Sequence, residues 1–223
     1  LDNTTQKLLQ NNIINHLTYI INDLFRSINI KSNNFINYHK ILSNDQHYDL
    51  LAHLHEGISF DKINFDKRIL EKAVSKELGI EVSTQNKKSN EINPNIFHFR
   101  IVRPKQSDFN PPHKDIYLNR LKNGVNFYMP ILGSDEFSSL PLFPGSHLFN
   151  EKDITKTENG CIINNKKFRV PAILKTSHGL NLIRPNPSLD EIMLFSPYLI
   201  HGGGLNENPD TTRVSMELRF WRV

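Results

Sequence analysis

The stretch Thr212-Arg213-Val214-Ser215-Met216-Glu217-Leu218-Arg219-Phe220-Trp221-Arg222-Val223 decides how the chain folds. Val214, Met216, Leu218 and Phe220 alternate in it with Arg213, Ser215, Glu217, Arg219 and Trp221. Successive side chains on an extended backbone point to opposite sides, so the alternation reads as one β-strand with an apolar and a polar face. The apolar face is expected to pack under helices. The polar face has two readings, a solvated surface or the wall of a polar interior, and the strand alone does not choose between them.

Upstream of it, Ile96–Arg103, Val125–Ile131 and Ile192–Ile200 are further runs rich in Ile, Val, Phe and Tyr, bounded by Pro, Gly, Asn and Asp. Loops and hairpins rather than helices separate them, which favours an antiparallel jelly roll or sandwich over a parallel sheet. Before Gly79 the period changes. Leu9, Ile13, Leu17, Ile20, Leu24 and Ile28 recur every three or four residues, predicting a long amphipathic helix with Thr4 or Thr5 as N-cap. A second helix is expected over Asn44–His55, stopping at Gly57, and a third from about Asn64 to Leu78 with Gly79 just beyond it. The expected architecture is mainly β with α cover: one domain over 1–223, in which a β core of residues 80–223 carries helices from 1–79 on its outer face. Residues 151–187 read as a long irregular insert, a candidate lid or substrate-binding element.

Composition narrows the function. The 223 residues carry 27 Lys and Arg against 23 Asp and Glu, a net charge of +4 with no block of like charges, so no nucleic-acid partner is implied. Residues 8–28 are interrupted by Asn11, Asn12, Asn15, His16, Asn22, Asp23 and Arg26, which argues against a signal core or a membrane span and for a soluble, cytoplasmic protein. The single cysteine, Cys161, can form neither an internal disulfide nor a thiolate metal site. Any bound metal must therefore sit on His, Asp or Glu.

Two short motifs supply such ligands. His113-Lys114-Asp115 follows Pro111-Pro112, and on an extended backbone residues 113 and 115 face the same way. His201 follows the apolar run Ile192–Ile200 and precedes Gly202-Gly203-Gly204, a segment that lets another group approach closely. Two histidines and one carboxylate on one face of an octahedron leave positions open, the arrangement of non-haem Fe(II) oxygenases. Twelve residues after His201 comes Arg213, with Ser215 on its face, a suitable clamp for the far carboxylate of 2-oxoglutarate. The polar face of the last strand is then better read as a cavity wall. Asn126 and Tyr128 alternate with Val125, Phe127 and Met129, and either face the same cavity, touching 2-oxoglutarate or substrate, or form an outward polar face. Arg100, Arg103, Lys105, Lys114, Arg120 and Lys122 lie near these motifs in sequence, either as a solvated rim or to receive an anionic substrate.

His113-x-Asp115, Leu142-Phe143-Pro144-Gly145-Ser146-His147, His201-Gly-Gly-Gly and Arg213-x-Ser215, in this order and spacing, resemble the phytanoyl-CoA dioxygenase family of Fe(II)/2-oxoglutarate-dependent oxygenases. The resemblance covers about residues 95–223. It implies a double-stranded β-helix (jelly-roll, cupin-like) fold, Fe(II) held by His113, Asp115 and His201, and 2-oxoglutarate held by Arg213 with help from Ser215. It also implies O2 as co-reactant, with succinate and CO2 as products. Family relatives that halogenate replace the ligand carboxylate by a small residue; Asp115 is present here, so hydroxylation of a small polar or anionic metabolite, with a sugar-like substrate preferred, is the expected outcome. The Pro144-Gly145-Ser146-His147 segment reads as a structural turn. The competing readings are a non-catalytic jelly-roll binding module and a cupin-type metalloenzyme without a keto acid. A serine hydrolase is disfavoured because no Gly-x-Ser-x-Gly follows His201-Gly-Gly-Gly.

Overall fold

The first helix, α1 (Asn3–Leu24), forms because Leu9, Ile13, Leu17, Ile20 and Ile21 fall on one stripe and are all buried. Its cap is Asp2 rather than the expected Thr4 or Thr5: the Asp2 carboxylate accepts from the Thr5 backbone N–H at 2.8 Å. The helix ends four residues before Ile28 because the Asn22 side chain donates to the Ile30 carbonyl and accepts from its N–H, turning the chain back on itself. α2 (Asn44–His53) starts at a capping box in which Ser43 and Gln46 satisfy each other's backbone N–H, and it stops short of the expected His55. α3 (Arg68–Leu78) ends at a left-handed Gly79, as the sequence predicts, but begins four residues later than expected. Asn64, at φ 48°, instead terminates a 3₁₀ turn over Phe60–Ile63.

These positions come from a computed structural model, which describes residues 1–89, 91–107, 110–163 and 166–223, with the backbone alone for 163 and 166–168. The strands are β1 (Ile58–Ser59), β2 (Val82–Ser83), β3 (Ile96–Val102), β4 (Gly124–Leu132), β5 (Leu142–Phe143), β6 (Ile154–Lys156), β7 (Cys161–Ile163), β8 (Lys166–Phe168), β9 (Ile173–Thr176), β10 (Met193–Phe195), β11 (Ile200–His201) and β12 (Arg213–Arg222). Among the described residues, the largest sheet has six antiparallel strands in the order β1-β3-β12-β4-β10, with β2 on the far end of β12. β12 is therefore interior to the sheet, and both faces predicted for it are used. Val214, Met216, Leu218 and Phe220 enter one core with Leu9, Ile13 and Leu17 of α1, Phe97 and Phe99 of β3, and Phe127 and Met129 of β4. Burying each such side chain contributes about 1.5–3 kcal/mol, which fixes the helices on this face of the sheet.

On the opposite face, register brings Ser215 beside Arg100, Glu217 between His98 and Tyr128, and Arg219 beside Asn126. Trp221 leaves the polar pattern: it is buried, and its indole N–H donates to the Lys122 carbonyl at 3.3 Å.

Two further expectations are corrected. Ile192–Ile200 is not one buried strand: it breaks at Pro197, which has no N–H to donate to a ladder. β10 pairs with β4, β11 pairs with β5, and Tyr198 between them is exposed. The 151–187 insert is less irregular than expected, because β6 pairs with β9 and β7 with β8; residues 164 and 165 of it lie outside the described residues. Among the described residues no helix is long and apolar enough to cross a membrane.

Candidate metal centre

His113 and His201 meet through their backbones. Each donates its N–H to the other's carbonyl, at 2.9 Å and 3.0 Å, as an isolated antiparallel bridge. Asp115 is pinned by the same break that divides β10 from β11: its N–H donates to the Pro197 carbonyl at 3.1 Å. Gly202 and Gly203 make the approach possible. Both have positive φ, and a Cβ on Gly202 would lie 2.9 Å from the Pro111 carbonyl, while one on Gly203 would lie 2.5 Å from the Pro112 ring.

The side chains then converge. His113 Nδ1 donates to the Pro111 carbonyl at 2.7 Å and His201 Nδ1 to the Leu199 carbonyl at 3.0 Å, so each ring turns its Nε2 lone pair inward. Asp115 Oδ1 lies 3.3 Å from His113 Nε2 and 3.7 Å from His201 Nε2. One atom from each residue falls within 4.8 Å of the others, and all three side chains are buried. Among the described residues this is the one group of His, Cys, Asp and Glu that could hold a metal ion in this way.

Electrostatics prepare the donors. Burial alone would raise the Asp115 carboxyl, but the Arg219 guanidinium and the two imidazoles hold it well below the usual carboxylate range. Arg219 donates through Nε to Asp115 Oδ2 at 2.9 Å, and its Nη2 forms an ion pair with the same oxygen, also at 2.9 Å. Burial, aided by His113, pushes His201 down to about 4, so its ring is neutral at neutral pH and open to a cation. The set is one carboxylate and two imidazoles, which suits a divalent transition metal.

Beside this group runs a wall of unanswered polar atoms. Arg213 and Ser215 of β12 and Asn126 and Tyr128 of β4 are all buried. Arg213 Nη1 donates to the Tyr128 hydroxyl at 3.5 Å, and that hydroxyl lies 3.3 Å from Ser134 Oγ. Arg213 Nε, Ser215 Oγ and both amide atoms of Asn126 have no hydrogen-bond partner among the described residues. Leaving one such group unpaired costs about 1–3 kcal/mol, so several on one wall mark a place built for a polar ligand.

Arg100, His113, His201, Arg213, Glu217 and Arg219 line one cavity. Of the six basic residues near the motifs in sequence, only Arg100 lines it, with an ion pair of 2.8 Å to Glu217. Arg103 donates to Asn44 and Tyr48, Lys105 to the Glu207 carbonyl, and Arg120 pairs with Glu91 at 3.9 Å. Lys122 is exposed. Lys114 points away from its neighbours His113 and Asp115, is buried, and donates to Glu151 at 3.0 Å, tying the insert to the segment that carries His113 and Asp115.

The sequence places Arg219 and Glu217 on the polar face and Ser146 in a structural turn, but gives none of the three a part in the site. The first two share the alternation of Arg213 and could have been read from it. Ser146, in the turn before His147, accepts from the Ile200 N–H at 2.8 Å and donates to the Phe143 carbonyl at 2.6 Å, so it seats β11 and with it His201. His147 itself is exposed.

No family model matches the chain, and no curated protein sequence matches it. Solved structures similar to it include EvdMO1, at 19% identity over 58% of this chain and 27% of that one, with a TM-score of 0.41. The epimerase SnoN in complex with Fe3+, alpha ketoglutarate and nogalamycin RO matches at 13% identity over 57% of this chain and 48% of that one, TM-score 0.41. EvdO2 from Micromonospora carbonacea var. aurantiaca, complexed with 2-oxoglutarate, matches at 14% identity over 57% of this chain and 53% of that one, TM-score 0.41. The chain thus spans from about a quarter to about half the length of these proteins. The likeness is loose, and the chemistry of the site rests on its own residues.

Proposed function

We propose that the chain is a non-haem Fe(II)/2-oxoglutarate-dependent dioxygenase, a single domain over 1–223 whose β core is a double-stranded β-helix of the phytanoyl-CoA dioxygenase type. One observation carries this reading: two inward Nε2 atoms and one carboxylate oxygen converge beside a buried wall whose Arg213, Ser215 and Asn126 have polar atoms without partners among the described residues. In this reading His113, Asp115 and His201 hold Fe(II). Arg213, helped by Ser215, takes the far carboxylate of 2-oxoglutarate, with Asn126 and Tyr128 on the same wall. When bound, iron and 2-oxoglutarate supply the oxidising power drawn from O2, with release of succinate and CO2.

The protein's part is positioning. The Nδ1–carbonyl bonds keep both imidazoles in the tautomer a metal needs, and the glycines let their two strands press together. Burial of the three ligands limits the access of bulk water to the reacting centre. Asp115 occupies the ligand place that halogenating relatives leave small, which favours hydroxylation. Arg100 and Glu217 offer a donor and an acceptor on the cavity wall, which suits a small polar, anionic or sugar-like metabolite.

The test is succinate release from 2-oxoglutarate with Fe(II) and O2, screened across polar metabolites. Stimulation by one class of metabolite, lost in Asp115→Ala and in His201→Ala, supports the reading. Equal turnover in wild type and in either ligand variant contradicts it.

A further inference from the structure

Asp115 has two oxygens with different neighbours. Oδ1 faces both imidazole Nε2 atoms, at 3.3 Å and 3.7 Å, while Oδ2 is taken by the Arg219 guanidinium, which donates from Nε at 2.9 Å and brings Nη2 to 2.9 Å as an ion pair. A carboxylate left to itself can bind a metal with one oxygen or with both. We infer that Arg219 is a positioning residue that occupies Asp115 Oδ2 and so restricts Asp115 to one-oxygen ligation; the inference rests on the metal reading above.

The placement of Arg219 supports this role. It lies on β12 in register with Asn126 of β4, two residues beyond the last pair with β3, so the sheet sets the side on which its guanidinium points. Its side chain is 18% exposed and that of Asp115 is 3% exposed, so water competes little for the pair. Glu217, two residues back on the same face, is already paired with Arg100 at 2.8 Å, which leaves Arg219 directed at Asp115. The fork matters as well as the charge, because Nε and Nη2 both reach a single oxygen and a lysine ammonium cannot reproduce that geometry. If Oδ2 were released, Asp115 could chelate through both oxygens and consume a coordination position that a keto acid or O2 requires.

The probe is Co(II), added to metal-stripped full-length protein and followed by calorimetry and by its visible absorption, with circular dichroism reporting the fold. The Arg219→Gln protein is expected to bind Co(II) about 10- to 100-fold more weakly than wild type, the usual effect of losing an outer-shell partner. Its Co(II) absorption is expected to change in shape and intensity as the carboxylate changes its mode of binding. Arg219→Lys, which keeps the charge, is expected to fold and to recover only part of the affinity, and it carries the same readouts if Arg219→Gln does not fold. A folded variant with Co(II) affinity within about twofold of wild type and an unchanged spectrum overturns the inference. Wild-type protein that takes up no Co(II) overturns the metal reading itself, and this inference with it.

Discussion

A buried carboxylate survives ionised only if its charge is answered, and in this protein Asp115 is answered by the Arg219 guanidinium at 2.9 Å. Arg213 is the contrasting residue. Its Nε has no partner among the described residues, and its one hydrogen bond to Tyr128 is long, at 3.5 Å, so its guanidinium is held ready rather than spent. Arg213→Ala should therefore raise the 2-oxoglutarate concentration needed for half-maximal succinate release by roughly 10- to 100-fold, the size of a lost charged hydrogen bond. An unchanged requirement would assign the keto acid to another group. At this scale the sequence was a good guide where chemistry is local. His113 and Asp115 are two residues apart, and Arg213 and Ser215 share a face by simple alternation. Ser146 was not legible, because its bond to the Ile200 N–H joins residues 54 positions apart and no local pattern announces it.

Elements carry the site through their breaks more than through their regular parts. Pro197 stops β10, offers its carbonyl to Asp115, and lets β11 leave with His201 toward β5. The apolar run Ile192–Ile200 hid this, since apolarity suggests a continuous strand and only the proline marks the interruption. β12 was legible in both faces as far as Phe220 because alternation in an interior strand leaves each side chain a single place to go, and Trp221 is the exception. Ser146→Ala removes the acceptor that seats β11, leaving the Ile200 N–H buried without a partner. It should cost about 1–3 kcal/mol in urea denaturation and weaken metal binding through displaced His201. Full stability with wild-type metal affinity would show that β11 is positioned by β5 alone.

Across the whole molecule, the helices and the large sheet share one core, so the face that carries the candidate ligands depends on packing from the other side of β12. Leu17 of α1 is fully buried in that core, and Leu17→Ala should destabilise the protein by about 2–5 kcal/mol. The loss should be read equally by helix circular dichroism and by fluorescence of Trp221 at the far end of β12. A Trp221 transition that does not move would mean the helical cover unfolds separately from the sheet. If one site takes both Fe(II) and 2-oxoglutarate, adding first the metal and then the keto acid to the metal-stripped protein without oxygen should give a weak visible absorption band. The band should need both additions and be lost in Asp115→Ala and His201→Ala. No band, together with no keto-acid binding by calorimetry, would contradict a site that takes both.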